Sequence, residues 1–146
     1  MSRIPLQTAT SAPAGSQALL GQVQSAFGAT PNMFKAVANS PAALASMWGS
    51  FGALGKGRLP ARLTEKLAVA VADRNRCEYC LAAHTLLGKN AGASEAEMAD
   101  AQAGRSADPA TAAARAFALK VVDRRAAVGD ADIAALRDAG FDDEAI

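Results

Sequence analysis

Three times in this chain a capping side chain is followed directly by proline: Thr30-Pro31, Ser40-Pro41 and Asp108-Pro109. Proline holds φ near the helical value and has no N–H to leave unpaired in a first turn, so each pair reads as a helix start. Ser94 with Glu97 adds a fourth start, at the spacing of a reciprocal capping box. Apolar residues then recur at helical spacing, as in Leu44, Met47, Trp48 and Phe51, which fall on one face. Helices are predicted over "ALLGQVQSAFG", "TPNMFKAVANSP" with Thr30 as cap, "SPAALASMWGSFGALGKG", Ala61 to Asp73, the stretch from "CEYCLAAH" to "KNAG", "SEAEMADAQAG", "DPATAAARAFALKVVDRRAAVG" and "DADIAALRDAG". Asp142, Asp143 and Glu144 read as the acidic first turn of one more helix. No alternating strand pattern and no repeat recurs. Hydrophobic residues make up 51% of the chain but aromatics only 5%, so Ala, Leu and Val carry the apolar share. Such a composition favours closely packed helices over a sheet core. The expected fold class is all-α.

A length of 146 residues suits one domain with a substantial core. Residues 1–16 mix Pro, Ser, Thr, Gly and Ala without helical period and are expected to form a flexible arm before a single helical domain over 17–146. The formal charge is +1 with no long run of either sign, which argues against a nucleic-acid partner. The first residues contain no apolar signal core, and no stretch approaches the ~20 apolar residues of a membrane span. The expectation is a cytoplasmic protein with no membrane partner. In that compartment two closely spaced cysteines are kept reduced or cycled rather than locked.

Residues 77–84, CEYCLAAH, hold both cysteines and the one histidine of the chain. On a helix, Cys77, Cys80 and His84 share one face within about 60° of arc. Cys77 falls at the helix start, where unpaired amides, the positive dipole end, Arg74 and Arg76 all favour a thiolate. His84 lies about 6 Å of rise past Cys80 but about 10 Å past Cys77. Helical side chains lean toward the N-terminus, so the imidazole reaches back over Cys80. A base must lie within hydrogen-bond reach of the proton it takes. These arguments favour Cys80 as nucleophile and Cys77 as resolving thiol.

In the preceding helix Leu63, Leu67, Ala70 and Val71 make one apolar face, and Glu65 shares the other with Ala68, Val69 and Ala72. A helix apolar nearly all round is buried, so Glu65 is expected to face the interior with a hydrogen-bonding role. The "RNR" turn folds this helix back beside the cysteine helix, which can bring Glu65 near His84.

Glu65, eleven residues, Cys77, two residues, Cys80, three residues, His84 together resemble the signature of the alkylhydroperoxidase D-like group. That group belongs to the carboxymuconolactone decarboxylase superfamily. "TPNMFKAVANSP", "LPARLTEKLAVAVADRNRCEYCLAAHT" and "AGASEAEM" look like its peroxidase-related branch, and the resemblance runs from about Gly21 to the C-terminus. It implies an all-helical bundle, assembly into trimers or hexamers, and thiol-dependent reduction of small hydroperoxides. Carried over by position, Cys80 is the peroxidatic thiol, Cys77 its partner in a redox-active disulfide, and Glu65 with His84 the proton relay. No bound cofactor is implied. An external dithiol reductant protein, lipoyl-bearing or thioredoxin-like, is required. Where some members carry a second histidine between the cysteines this chain has Tyr79. Family chains also continue through one more helix, so the short acidic segment is read either as a frayed tail or, the expectation preferred, as the start of a final helix that is missing after Ile146.

Other readings of the same residues are a zinc site, which lacks a fourth Cys or His ligand, and inert core thiols. Two further functions stand beside a peroxidase: a dithiol–disulfide carrier or redox sensor, and a decarboxylase-like member of the superfamily. The last has no need of a dithiol.

Overall fold

The computed structural model describes residues 2–146, and the described residues contain eight α-helices and no strand. They are α1 (Ala14–Phe27), α2 (Asn32–Val37), α3 (Pro41–Leu54), α4 (Ala61–Arg74), α5 (Glu78–Asn90), α6 (Glu95–Gln102), α7 (Pro109–Asp123) and α8 (Asp130–Asp138). No helix among the described residues is long and apolar enough to cross a membrane. The chain divides into two compact units, one ending at Lys56 and the other beginning at Gly57.

In the first unit α1, α2 and α3 pack on one another. Ser40 caps α3 as its spacing predicts, its side chain accepting the Ala43 N–H, with Pro41 in the first turn. Thr30 does not cap α2. That helix begins one residue later than the pattern suggests, with Pro31 at the capping position, and the Thr30 hydroxyl donates to Gln24 Oε1 at 2.8 Å. Leu20, Val23, Phe34 and Leu44 are almost completely buried and form the core with Met47 and Trp48 against them. The segment before α1 is fastened to the same unit. Gln7 donates its backbone N–H to Lys35, Asn39 Nδ2 donates to the carbonyl of Pro5, and Ala12 is buried.

The second unit is built around α4, against which α5, α6 and α7 all pack, with α8 on α7. Val69, Ala70 and Ala72 are the buried residues of α4. Val69 joins Ala93, Met98 and Ala101 in a core that Leu81 of α5 also touches. Apart from Met98 its members are small, which lets helix axes approach closely. Ser94 and Glu97 form the capping box of α6, and Asp108 caps α7 ahead of Pro109.

One further segment departs from the sequence pattern. The helical pattern of α7 runs on to Gly129, yet the helix ends at Asp123, because Arg125 and Ala126 adopt positive φ. Ala126 then returns its N–H to Val121 and Arg125 to Val122, a Schellman closure built without glycine. Residues 142–146 form one hydrogen-bonded turn, in which the N–H groups of Ala145 and Ile146 bond back to Asp142 as in the first turn of a helix. Arg58 pairs with Asp142 at 2.8 Å.

Candidate functional site

The connection that carries the cysteines is short because one motif serves both helices. At the end of α4, Arg76 donates its N–H to Asp73 and Cys77 donates its own to Ala72. These two bonds are a Schellman closure with Arg76 in the left-handed position, at φ 52°. Glycine is the usual occupant there, since other L-residues are destabilised by about 1–2 kcal/mol. Cys77 closes α4 and at once caps α5, its Sγ accepting the N–H of Cys80 at 3.2 Å. The helix start thus lies on Cys77, as the sequence suggests, and one amide of the first turn of α5, that of Cys80, donates to its sulfur.

Cys77 and Cys80 are joined in a disulfide, with their Cα atoms 5.3 Å apart. Both are half-buried, and Tyr79 between them is largely exposed. One turn further along α5, His84 meets Glu65 of α4, with Nδ1 2.7 Å from Oε2. The Glu65 side chain retains 17% of its accessible surface and that of His84 31%. When the carboxylate accepts in this bond the hydrogen is carried by Nδ1, which leaves the lone pair on Nε2. All four residues named from the sequence therefore lie on the α4–α5 pair, and His84 follows Cys80 at the i, i+4 spacing of side-chain neighbours. Arg74 and Arg76 precede the dithiol in the chain. Arg74 is engaged by Asp123 at 2.9 Å.

Lys66, next to Glu65, turns to α6 instead and donates to Glu97 at 2.6 Å; Arg62 also donates to this carboxylate, as does the Ser94 N–H. The Lys66 bond foremost, then those from Ser94 and Arg62, hold the Glu97 carboxyl well below the ordinary carboxylate range. Consecutive residues of α4 therefore fasten two different helices. A cleft of about 170 Å³ beside this network is lined by Lys66, Glu97, Asp108 and Arg115 and includes none of the four candidate residues.

Reading the sequence for chemistry passes over Gly88, one turn beyond His84, and Met98, which lies against it. A signal was present. Glycine inside a helix is less favourable than alanine by ~1 kcal/mol and calls for a packing reason.

Residues 38–124 match the sequence profile of the carboxymuconolactone decarboxylase family, a span that runs from before α3 through α7 and includes all four candidates. Two solved structures are similar over nearly the whole chain. An uncharacterized peroxidase-related protein from Silicibacter sp. TM1040 is 25% identical with a TM-score of 0.83, covering 98% of this chain and 76% of its own. A protein from Ralstonia eutropha JMP134, described as an alkylhydroperoxidase AhpD core and an uncharacterized peroxidase-related protein, is 28% identical with a TM-score of 0.86. That alignment covers 98% of this chain and 78% of the other. A search among curated proteins finds no match. The expected all-α class and the family resemblance are both borne out by these likenesses.

Proposed function

The chain belongs to the carboxymuconolactone decarboxylase family, and on that premise we propose that it is a thiol-dependent hydroperoxide reductase. The observation that carries this reading is the junction of a bonded Cys77–Cys80 pair with a carboxylate-held histidine one turn along the same helix.

In the reduced enzyme Glu65 accepts the Nδ1–H of His84 and leaves Nε2 facing its task as a base. His84 takes the proton of the Cys80 thiol, and the thiolate attacks the outer oxygen of the hydroperoxide. The O–O bond breaks, the S–O bond forms, and the leaving alkoxide takes the proton from the imidazolium as alcohol. Cys80 is now a sulfenic acid. Cys77, its sulfur stabilised as thiolate by the amides at the start of α5, attacks that sulfur. The disulfide forms and the hydroxyl leaves as water with the proton Cys77 gave up. A dithiol donor, lipoyl-bearing or thioredoxin-like, returns two electrons and two protons by exchange and becomes a disulfide itself. No bound cofactor enters this cycle. The working form under this reading is a homo-oligomer, a trimer or hexamer, in the cytoplasm.

Stopped-flow oxidation of the reduced protein by cumene hydroperoxide, with thiols counted afterwards, tests the proposal. The expected result is rapid loss of two thiols, abolished by Cys80→Ser and slowed about 100-fold or more by His84→Gln, the usual scale of general-base catalysis. Loss no faster than that of a free thiol would overturn it.

A further inference from the structure

We infer that Gly88 is a positioning residue for the Glu65–His84 pair, acting through Met98. This rests on the reading of that pair as the proton relay. Gly88 is buried in the interior of α5, one turn past His84, on the side that faces α4 and α6. A Cβ at this position would lie 2.5 Å from Met98 Cε, 2.6 Å from its Sδ and 3.4 Å from Glu65 Cβ. The missing side chain is therefore a notch into which the Met98 thioether seats, and across which α5 rests against the stem of Glu65.

The tip of a methionine is ordinarily free to swing aside. Here Met98 retains 2% of its surface and is enclosed with Val69, Ala93, Ala101 and Leu81. Moving its tip requires other core atoms to move, because a close-packed interior offers little spare volume. A methyl group at position 88 is relieved instead by displacement of α5 away from α4 and α6. That displacement separates the same two helices whose side chains meet at Nδ1 and Oε2. Hydrogen bonds weaken steeply with length and angle, so a small separation removes the Nδ1–H acceptor. The ring then reverts to the Nε2–H form that a free imidazole side chain favours, and Nε2 no longer carries the lone pair that the relay uses.

His84 is the one histidine of the chain, so its ring nitrogens give an unambiguous ¹⁵N spectrum. The test records that spectrum on the oxidised protein at alkaline pH, where an imidazole is neutral, for wild type, Glu65→Ala, Gly88→Ala, Met98→Ala and the Gly88→Ala/Met98→Ala pair. Wild type and Met98→Ala are expected to show hydrogen on Nδ1, and Glu65→Ala and Gly88→Ala hydrogen mainly on Nε2. The paired variant should return to the wild-type pattern, because truncating Met98 makes room for the methyl. A Gly88→Ala spectrum identical to wild type would overturn the positioning role and leave the relay standing. A wild-type spectrum already matching Glu65→Ala would overturn the relay, and this inference with it. Should Gly88→Ala fail to fold, the paired variant decides: the wild-type pattern supports the inference, and the Glu65→Ala pattern overturns it.

Discussion

The two compact units use different packing for different ends. In the unit ending at Lys56, Phe34 lies at the centre of an aromatic cluster with Phe27, Trp48 and Phe51, ring centroids 5.6–5.8 Å from its own. The unit from Gly57 has Val69, Ala93, Met98 and Ala101 at its core, with Gly88 against Met98. Large rings bury much area and tolerate a range of separations, so they stabilise a fold without fixing it finely. Small side chains bury less area per residue but hold helices at short, narrowly defined distances. The candidate chemistry lies in the second unit, where one hydrogen bond between α4 and α5 needs that definition.

The largest effect is expected from breaking the aromatic side of this comparison. Phe34 is 1% exposed, and Phe34→Ala should destabilise by about 3–5 kcal/mol, read from urea unfolding midpoints. Met98→Ala is the matching change in the other core and should cost ~2–5 kcal/mol, less than Phe34→Ala because a smaller side chain is removed. A Met98→Ala loss equal to or larger than that of Phe34→Ala would erase the contrast. Ser94→Ala removes the cap of α6 and should cost about 1 kcal/mol in the same assay.

Two smaller changes sharpen the picture of the second unit. Arg76→Gly relieves the left-handed backbone between α4 and α5 and should raise stability by up to ~1 kcal/mol, seen as a higher melting temperature, because the unfolded glycine has more freedom to lose. The last concerns acid. Glu97 is ordinarily a 4.5 carboxyl, and Lys66, Ser94 and Arg62 lower it on folding. A depressed folded value means the stabilisation is fully present above about pH 4.5 and fades as pH falls toward the folded value. The stability gap between wild type and Glu97→Gln should therefore be widest at neutral pH and close between pH 4.5 and the acid limit. A gap that does not change with pH would mean the ion pairs contribute nothing, as exposed pairs often do.

Much of this architecture is legible without coordinates. Ser40, Ser94 and Asp108 act as caps where their spacing predicts, because capping depends on residues within one turn. The helix face shared by Cys77, Cys80 and His84 is likewise a local property of a 3.6-residue repeat. Local logic fails where closure uses residues that carry no signal. Thr30 lies one place too early to cap α2, and Arg125 and Ala126 end α7 in a conformation associated with glycine. In each case the backbone departs from a weak local preference.

Residue order alone determined the helical class, most helix starts, and the placing of two thiols and an imidazole on one helical face. These follow from forces acting over a few residues, which a linear chain records directly. The meeting of Glu65 with His84 across two helices, and the notch at Gly88 that Met98 fills, were decided only by tertiary structure. Their separation depends on how closely α5 can lie against α4, and that distance is set by the volumes of side chains brought together from α4, α5 and α6.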